Sequence, residues 1–522
     1  MQTPLLPELP AEEAPASQPA TRPAVARIRR PVRNQVGWVA RDLDSLVAED
    51  HAVRGVWAFV ERLDLTALYG GIRATADRPG RPATDPQVLL GLWVYATAQG
   101  VGSARELARL CEEHDAYRWL RGGTPVNYHL LADFRVERGE ALDKLLSQIV
   151  AAMMAEGLVE LEQVSQDGIR VRASAGAASF RREERLKEYL AQAEAQVAAV
   201  KEQREHGNQE VSRREQAARE RAARERVERV EQALQHLPAL QASKDGRSSH
   251  KAGAGQSQGK SGQGAGGQAE ATAEPAPTPE MGSEEFQPST ELVSLPVVLL
   301  SADGEGAAVA DGRGSGDQTP APAAGAGQVK TKVKEARAST TDADARVMKM
   351  PDGGYRPAYN GQFATTGESR VIVGVAAITA GSDAGLAVPM VQQIERRTGK
   401  LPASYLTDGG FCTFADIEGL TTLGITVYMP VPALRKLVPG RDPYARQPGD
   451  SAEVAAWRAR MGTDEAKVTY RQRAAHAEWS NAQMRGRYGL QQFPVRGVDK
   501  VLSMLLLLAV SHDLLRWIAL SA

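Results

Sequence analysis

Two aspartates stand directly before glycine in segments that look like β-strands. Asp408 follows the apolar residues of ASYLTDGG, and Asp167 lies in VSQDGIRVRAS, where apolar residues alternate. Such patterns predict strands, and a following glycine predicts a tight turn. Open α/β sheets bind ligands at the carboxyl ends of their strands, so both carboxylates are candidates for catalysis or metal binding. The alternative is a turn or a helix N-cap, the commoner role of an Asp-Gly pair.

A third candidate, Glu478, lies in the predicted basic helix TYRQRAAHAEWSNAQMRGRYG. The arginines of this helix suit a polyanion, although a lone glutamate on a helix is most often a solvated charge. If the three carboxylates converge, they repel one another and require neutralisation by divalent cations. Hard oxygen ligands favour Mg²⁺ or Mn²⁺ over zinc.

The composition of the 522-residue chain, with 42% hydrophobic and 24% charged residues, indicates an ordinary soluble protein of two to four domains. The two cysteines, Cys111 and Cys412, show no metal-ligand spacing, which argues against a zinc site and a disulfide framework. The acidic, proline-containing N-terminus does not resemble a signal peptide, so a cytoplasmic location is predicted. The apolar run at 501–510 is too short to span a bilayer and predicts a buried helix.

Basic residues are concentrated near the N-terminus, although the formal net charge is only -1. Residues 22–41 contain six arginines and no acidic residue. Residues 1–35 are therefore predicted to be a disordered basic arm in which Arg27, Arg29 and Arg30 contact phosphates. A solvated flexible tail is the alternative.

Residues 36–341 divide into four predicted parts. Residues 36–160 have the apolar spacing of amphipathic helices, with capping residues at Asp44, Thr84 and Ser103, and predict an all-α domain. Residues 161–179 predict the first strand of a second domain. Apolar residues at alternating four- and three-residue spacing in 180–240 predict an antiparallel helical hairpin that packs on itself or on another chain. Residues 241–341 predict a low-complexity linker, with one isolated strand near 294.

From residue 342 to 522 strand and helix patterns alternate. YNGQFATT, RVIVGVAAITA, ASYLTD and ITVYMPVP predict strands, and the helices between them include one that ends at Gly399. This alternation predicts α/β architecture with parallel pairing.

Taken together, these motifs resemble those of bacterial insertion-sequence transposases of the DDE type. The resemblance covers most of residues 36–174 and 342–519. It is carried by the helical segment GRPATDPQVLLGLWVYATAQGV, by QDGIRVRASA, by LTDGGF and by a Tyr-x2-Arg-x4-Glu pattern followed by a basic residue. The residues of that last pattern are Tyr470, Arg473, Glu478 and Arg485. Arg485 stands where the family usually has lysine, and residues 180–341 are a long insertion.

The resemblance implies a ribonuclease-H-like mixed sheet with flanking helices and a helical N-terminal domain that binds DNA ends. It implies that Asp167, Asp408 and Glu478 are the catalytic triad and bind Mg²⁺ or Mn²⁺. Tyr470, Arg473 and Arg485 would contact DNA. The implied partners are double-stranded DNA, comprising transposon inverted-repeat ends and target DNA, and further copies of the chain.

Two other functions stay open at this point. A nuclease of the same fold would cut DNA without joining it, and a non-catalytic DNA-binding protein derived from a transposase would do neither. The presence of all three acids weighs against the second alternative, and a strand-transfer assay would separate the first from a transposase.

Overall fold

The computed structural model describes residues 40–70, 72, 82–206, 213–256, 335–432 and 442–521, without the side chains of 204–206, 213–214 and 246–256. Arg27, Arg29 and Arg30, most of the predicted linker and the predicted strand near 294 lie outside these residues. Leu43–Ala522 is one structural unit, and the elements below belong to it.

The N-terminal part is helical, as predicted. Its α-helices are α1 Ala52–Glu61, α2 Thr66–Tyr69, α3 Pro86–Ala98, α4 Ala104–Glu113, α5 Asp115–Arg121, α6 Tyr128–Glu137 and α7 Gly139–Ala155. Two predicted helices are each divided. The ring of His114 caps α5 and separates it from α4, and Arg138 separates α6 from α7.

One of the three predicted capping residues is confirmed. The side chain of Ser103 accepts a hydrogen bond from the Glu106 amide at the start of α4. Asp85, rather than Thr84, caps α3, because Pro86 already has the backbone angle of a first helical turn. Asp44 lies in a separate 3₁₀ turn, Asp44–Leu46, and α1 begins only after His51.

Eight β-strands occur in the described residues, and six of them form one mixed sheet. The strands are β1 Gln163–Arg172, β2 Phe180–Arg181, β3 Ala338–Ser339, β4 Arg346–Lys349, β5 Tyr355–Thr366, β6 Ile372–Ile378, β7 Ser404–Leu406 and β8 Thr426–Tyr428. β1 lies between β5 and β7, β8 lies beyond β7, and β4 and β6 both pair with β5. β2 and β3 form a separate pair.

Among the described strands only two pairs are parallel, so the prediction of parallel pairing is only partly confirmed. β7 is parallel to β1 and to β8, whereas β5 is antiparallel to β1, β4 and β6. The connection from β5 to β6 spans only residues 367–371, and such a short connection permits antiparallel pairing alone.

The insertion contains a helical hairpin formed by α8 Glu183–His206 and α9 Arg213–Gln256. Leu186 of α8 is buried with Val230, Ala233 and Leu237 of α9, and alanines at 336, 338 and 343 complete this small core. The described apolar residues of the hairpin therefore pack on each other and on the segment before β4. Because α9 continues to Gln256, the predicted boundary at 240 falls inside a helix.

The remaining α-helices flank the sheet. They are α10 Ala387–Thr398, α11 Phe414–Thr422, α12 Ala452–Met461, α13 Asp464–Arg473, α14 Trp479–Ala482 and α15 Val498–Leu520. α10 ends at Gly399 as predicted, and this glycine has a φ of 68°.

α15 joins the helical part to the sheet. It packs against α3, α6, α7 and β6, and its Asp513 side chain accepts a 2.9 Å hydrogen bond from the Ile372 amide at the start of β6. The helix is long and apolar enough to cross a membrane, but 78% of its most apolar window is buried inside the protein. The prediction of a buried helix is confirmed.

Candidate active site

Asp167 lies in the middle of β1, within a strand as predicted, and it stands beside the end of a neighbouring strand. β7 pairs with β1 only as far as Leu406 opposite Ser165, so Asp167 lies just beyond the last pair. One carboxylate oxygen accepts the Gly168 amide at 2.8 Å, and the other accepts the Asn481 side-chain amide at 3.1 Å. Because β7 is short, no β7 residue pairs with β1 at Asp167, and the sheet is open beside this carboxylate.

Burial dominates the electrostatics of Asp167. It raises the pKa of the carboxyl to about 6 from the usual 3.8, whereas Arg473 and the Gly168 amide lower the pKa. Asp408 and Asp383 raise it further, because their negative charges lie near this carboxylate. The structure thus places Asp167 and Asp408 close enough to interact.

Asp408 follows β7 and forms a turn. Its Oδ1 accepts the Gly410 amide at 2.8 Å. The alternative role as cap of the next helix is not observed, since Thr413 caps α11. Asp408 therefore lies in the loop between β7 and α11.

Glu478 lies on an irregular helical segment that packs near β1. α13 is followed by a π-helical turn at Ala474–Glu478, by α14 and by a second π-helical turn at Gln483–Arg487. π-Helical turns are rare and occur often at functional sites. The Oε1 atom of Glu478 accepts a 3.2 Å hydrogen bond from Arg473, and its side chain is 61% exposed.

Arg473 connects two of the three predicted catalytic residues. Its Nη1 atom lies 3.7 Å from the Asp167 Oδ2 atom, and its Nη2 atom lies 3.2 Å from the Glu478 Oε1 atom. The side chain is only 14% exposed, and Nη1 is buried without a hydrogen-bond partner. A protein cation therefore neutralises the site in this conformation.

The predicted cluster of three carboxylates is not closed in this conformation. In the described part of the chain, no three histidine, cysteine, aspartate or glutamate side chains lie close enough together to hold a metal ion. Asp167 and Asp408 nevertheless provide hard oxygen ligands, and the amide oxygen of Asn481 beside Asp167 is buried without a partner. These three groups suit a hard divalent cation, whereas Glu478 would first have to leave Arg473.

The other predicted DNA-binding residues on this segment are partly accessible. Tyr470 is half-buried, which raises the pKa of its hydroxyl, and its ring centroid lies 5.9 Å from the Arg473 guanidinium carbon. Arg485 lies on the second π-helical turn and is partly exposed.

Two residues near Asp167 were missed by the sequence analysis. Asn481 lies in α14, directly after the π-helical turn that ends at Glu478, and no sequence motif indicated its contact with Asp167. Asp383 lies in the loop before α10, and its Oδ1 atom accepts hydrogen bonds from Asn360 at 2.6 Å and Gln362 at 2.7 Å. No sequence pattern around Asp383 indicated this contact with β5.

Gly168 is required by close packing next to Asp167. A Cβ atom at this position would lie 2.5 Å from the Gln362 Nε2 atom and 2.7 Å from both the Asn360 Oδ1 and Asp383 Oδ1 atoms. We expect Gly168→Ala to destabilise the protein by about 1–3 kcal/mol, the usual cost of overpacking. Urea unfolding followed by circular dichroism would measure the change. Gly176→Ala, which adds a Cβ atom in open space, is the control, and equal effects of the two substitutions would contradict the expectation.

The raised pKa of Asp167 implies that its charged form destabilises the fold. The folded state binds the proton of Asp167 more tightly than the unfolded state does, so protonation of Asp167 stabilises the fold. This stabilisation is complete below pH 3.8 and is lost as the pH rises through about 6. We expect Asp167→Asn to raise the free energy of unfolding by about 3 kcal/mol at pH 8 in EDTA, and hardly at pH 4, since one pKa unit corresponds to about 1.4 kcal/mol. Urea titrations at the two pH values test this. An equal gain at both would show that the charge is not responsible.

Two family models match separate parts of the chain. A model described as "Transposase domain (DUF772)" matches residues 41–137, and a model described as "Transposase DDE domain" matches residues 446–518. These matches indicate an insertion-sequence DDE transposase. No curated protein and no solved structure gives a significant match.

The two matches fall on different parts of the chain. The first covers α1 to α6, and the second runs from before α12 into α15. The second therefore includes Tyr470, Arg473, Glu478 and Arg485, whereas Asp167 and Asp408 lie outside both matched ranges. For these two aspartates the support comes from their motifs and their positions beside the matched helices.

Proposed function

We propose that the protein is an active transposase that binds the ends of its element, cuts them and joins them to target DNA in a metal-dependent reaction. One observation supports this most directly: the helical segment matched by the DDE family packs against the strand that carries Asp167. Asn481 and Arg473 of that segment lie 3.1 and 3.7 Å from the same carboxylate oxygen.

The sheet order supports a ribonuclease-H-like catalytic domain. β5, β1, β7 and β8 lie in that order, and β4 and β6 both pair with β5. β5 is antiparallel to β1, β4 and β6, whereas β7 and β8 run parallel to β1. Asp167 lies on the central strand and Asp408 follows its parallel neighbour. This proposal assigns Asp167, Asp408 and Glu478 to catalysis although β1 and β7 are separated by the long insertion, since the entropy cost of a loop grows slowly with its length.

Asp167 and Asp408 would hold the divalent cation, Mg²⁺ or Mn²⁺, and Glu478 would join them after leaving Arg473. When bound, such ions activate the attacking water or DNA 3′-hydroxyl and stabilise the leaving oxygen. Arg473, released from Glu478, would bind a phosphate of the cleaved strand, and Arg485 would bind a second phosphate. Tyr470 would pack against the flanking strand.

The helical part, α1 to α7, would recognise the element's ends, and the arginine-rich arm with Arg27, Arg29 and Arg30 would add affinity for any DNA. The remaining partner in this proposal is a second copy of the chain bound to the other end. The cell compartment would be the cytoplasm.

A cleavage assay on the DNA that flanks the coding region tests this function. Labelled duplexes carrying each flank are incubated with the protein and Mg²⁺, Mn²⁺ or EDTA. We expect a cut at one defined end in either metal and none in EDTA or on a scrambled duplex. Cutting without preference for a flank would favour the nuclease alternative, and selective binding without cutting would favour the non-catalytic one.

A further inference from the structure

Asn481 contacts Asp167 but is used neither by the motifs nor by the proposed triad. Its Nδ2 atom donates to the Asp167 Oδ2 atom at 3.1 Å, on the same oxygen that Arg473 approaches at 3.7 Å. Because the other oxygen of Asp167 accepts the Gly168 amide, the whole carboxylate is held by protein groups.

The amide oxygen of Asn481 has no hydrogen-bond partner, although it is buried from solvent. A buried oxygen acceptor without a partner is unfavourable, so its presence beside a carboxylate requires a physical reason. A bound cation would supply one, since an amide oxygen is a ligand that hard divalent ions accept.

The segment that carries Asn481 is irregular on both sides. α14, Trp479–Ala482, is one short turn between the π-helical turns Ala474–Glu478 and Gln483–Arg487. Each π-helical turn accommodates an extra residue and changes which side chains face the sheet. In this arrangement Asn481 faces Asp167, whereas the Glu478 side chain is largely exposed.

We infer that Asn481 is a fourth residue of the metal site, whose amide oxygen ligates the divalent cation held by Asp167 and Asp408. The Oδ1 atom has no other partner, so it can ligate a cation while Nδ2 keeps its hydrogen bond to Asp167. This inference rests on the proposed metal-dependent function and extends it by one residue.

The test is metal binding by the full chain without DNA. Mn²⁺ affinity is measured by electron paramagnetic resonance, and the number of water molecules on bound Tb³⁺ is measured from its luminescence lifetimes in H₂O and D₂O. For Asn481→Ala we expect about tenfold weaker Mn²⁺ binding and about one additional bound water, since water replaces the lost ligand. Circular dichroism melting confirms that the variant is folded.

Gln472→Ala is the matched control, since it removes an exposed side-chain amide from the same helical segment that is hydrogen-bonded to Gln163 instead. It should change neither quantity. Unchanged Mn²⁺ affinity in Asn481→Ala would overturn the inference. So would weaker binding without an additional water, because that result would mean that Asn481 only orients Asp167.

Failure of this inference can be distinguished from failure of the proposed function. If the unaltered protein binds Mn²⁺ and Asp167→Asn abolishes that binding, an unaffected Asn481→Ala overturns only the role of Asn481. If the unaltered protein binds no Mn²⁺, the metal site and the role of Asn481 are both wrong.

Discussion

Replacing any one of Asp167, Asp408 and Glu478 by its amide is expected to lower the rate of end cleavage by on the order of 10³-fold, equal to about 4 kcal/mol in the activation barrier. Each substitution keeps the size of the side chain and removes the negative charge that would hold a cation. Single-turnover cleavage of a labelled end duplex in Mg²⁺ measures the rate, and gel-shift affinity for the same duplex should change little.

Asp352→Asn is the control for this set. Asp352 is an exposed aspartate in the turn between β4 and β5, paired with Arg356, so its substitution removes one carboxylate charge away from the site. Normal cleavage by a triad variant, or an equal loss in Asp352→Asn, would contradict the assignment of the triad.

Arg473→Gln is expected to lower the cleavage rate by about 10²-fold. Arg473 contacts Asp167 and Glu478 through different nitrogen atoms of one guanidinium, and the proposed reaction transfers it to a phosphate. Lysine has a single ammonium group and cannot make both contacts with the same geometry, so Arg473→Lys should restore only part of the activity. The same single-turnover assay measures both variants.

Arg471→Gln is the matched control for Arg473, since it removes the same charge from an exposed position two residues away on α13. It should reduce general DNA affinity slightly and leave the cleavage step unchanged. If the two substitutions reduce cleavage equally, Arg473 acts only through the overall positive charge of the helix.

The positions of the two aspartates could be predicted in part from sequence. Each precedes a glycine in a β-prone segment, and the structure places Asp167 on β1 and Asp408 just after β7. The sequence did not reveal that β7 ends opposite Ser165, and this early end is what leaves Asp167 at an opening in the sheet. Strand length depends on pairing partners that are distant in sequence, and a local pattern does not contain them.

The contacts made by Arg473, Glu478 and Asn481 could not have been predicted from residue spacing. A regular α-helix turns about 100° per residue, so one extra residue in a π-helical turn moves every following side chain to another face. Two such turns occur between Ala474 and Arg487. The helix was predictable from its motif, but the face that each side chain presents to β1 was not.

The packing partners of the helical hairpin also could not be predicted from its sequence pattern. The apolar spacing in 180–240 indicated two helices but left open whether they pack on each other or on another chain. In the structure Leu186 packs against the apolar face of α9, and alanines from 336–343 cover the rest of that core. Ala336 and Ala338 lie at the far end of the predicted linker and Ala343 lies just after it, where composition gave no sign of a packing role.

The most direct test of the proposed function is strand transfer with pre-cleaved ends. A duplex that ends in the free 3′-hydroxyl of the element is incubated with the protein, Mg²⁺ and a supercoiled plasmid, and joined products are separated on a gel and sequenced. We predict that the unaltered protein joins the duplex to the plasmid and that Asp408→Asn does not. Failure of the unaltered protein to join an end that it binds and cuts, or joining by Asp408→Asn at the normal rate, would contradict the assignment of this site to transposition.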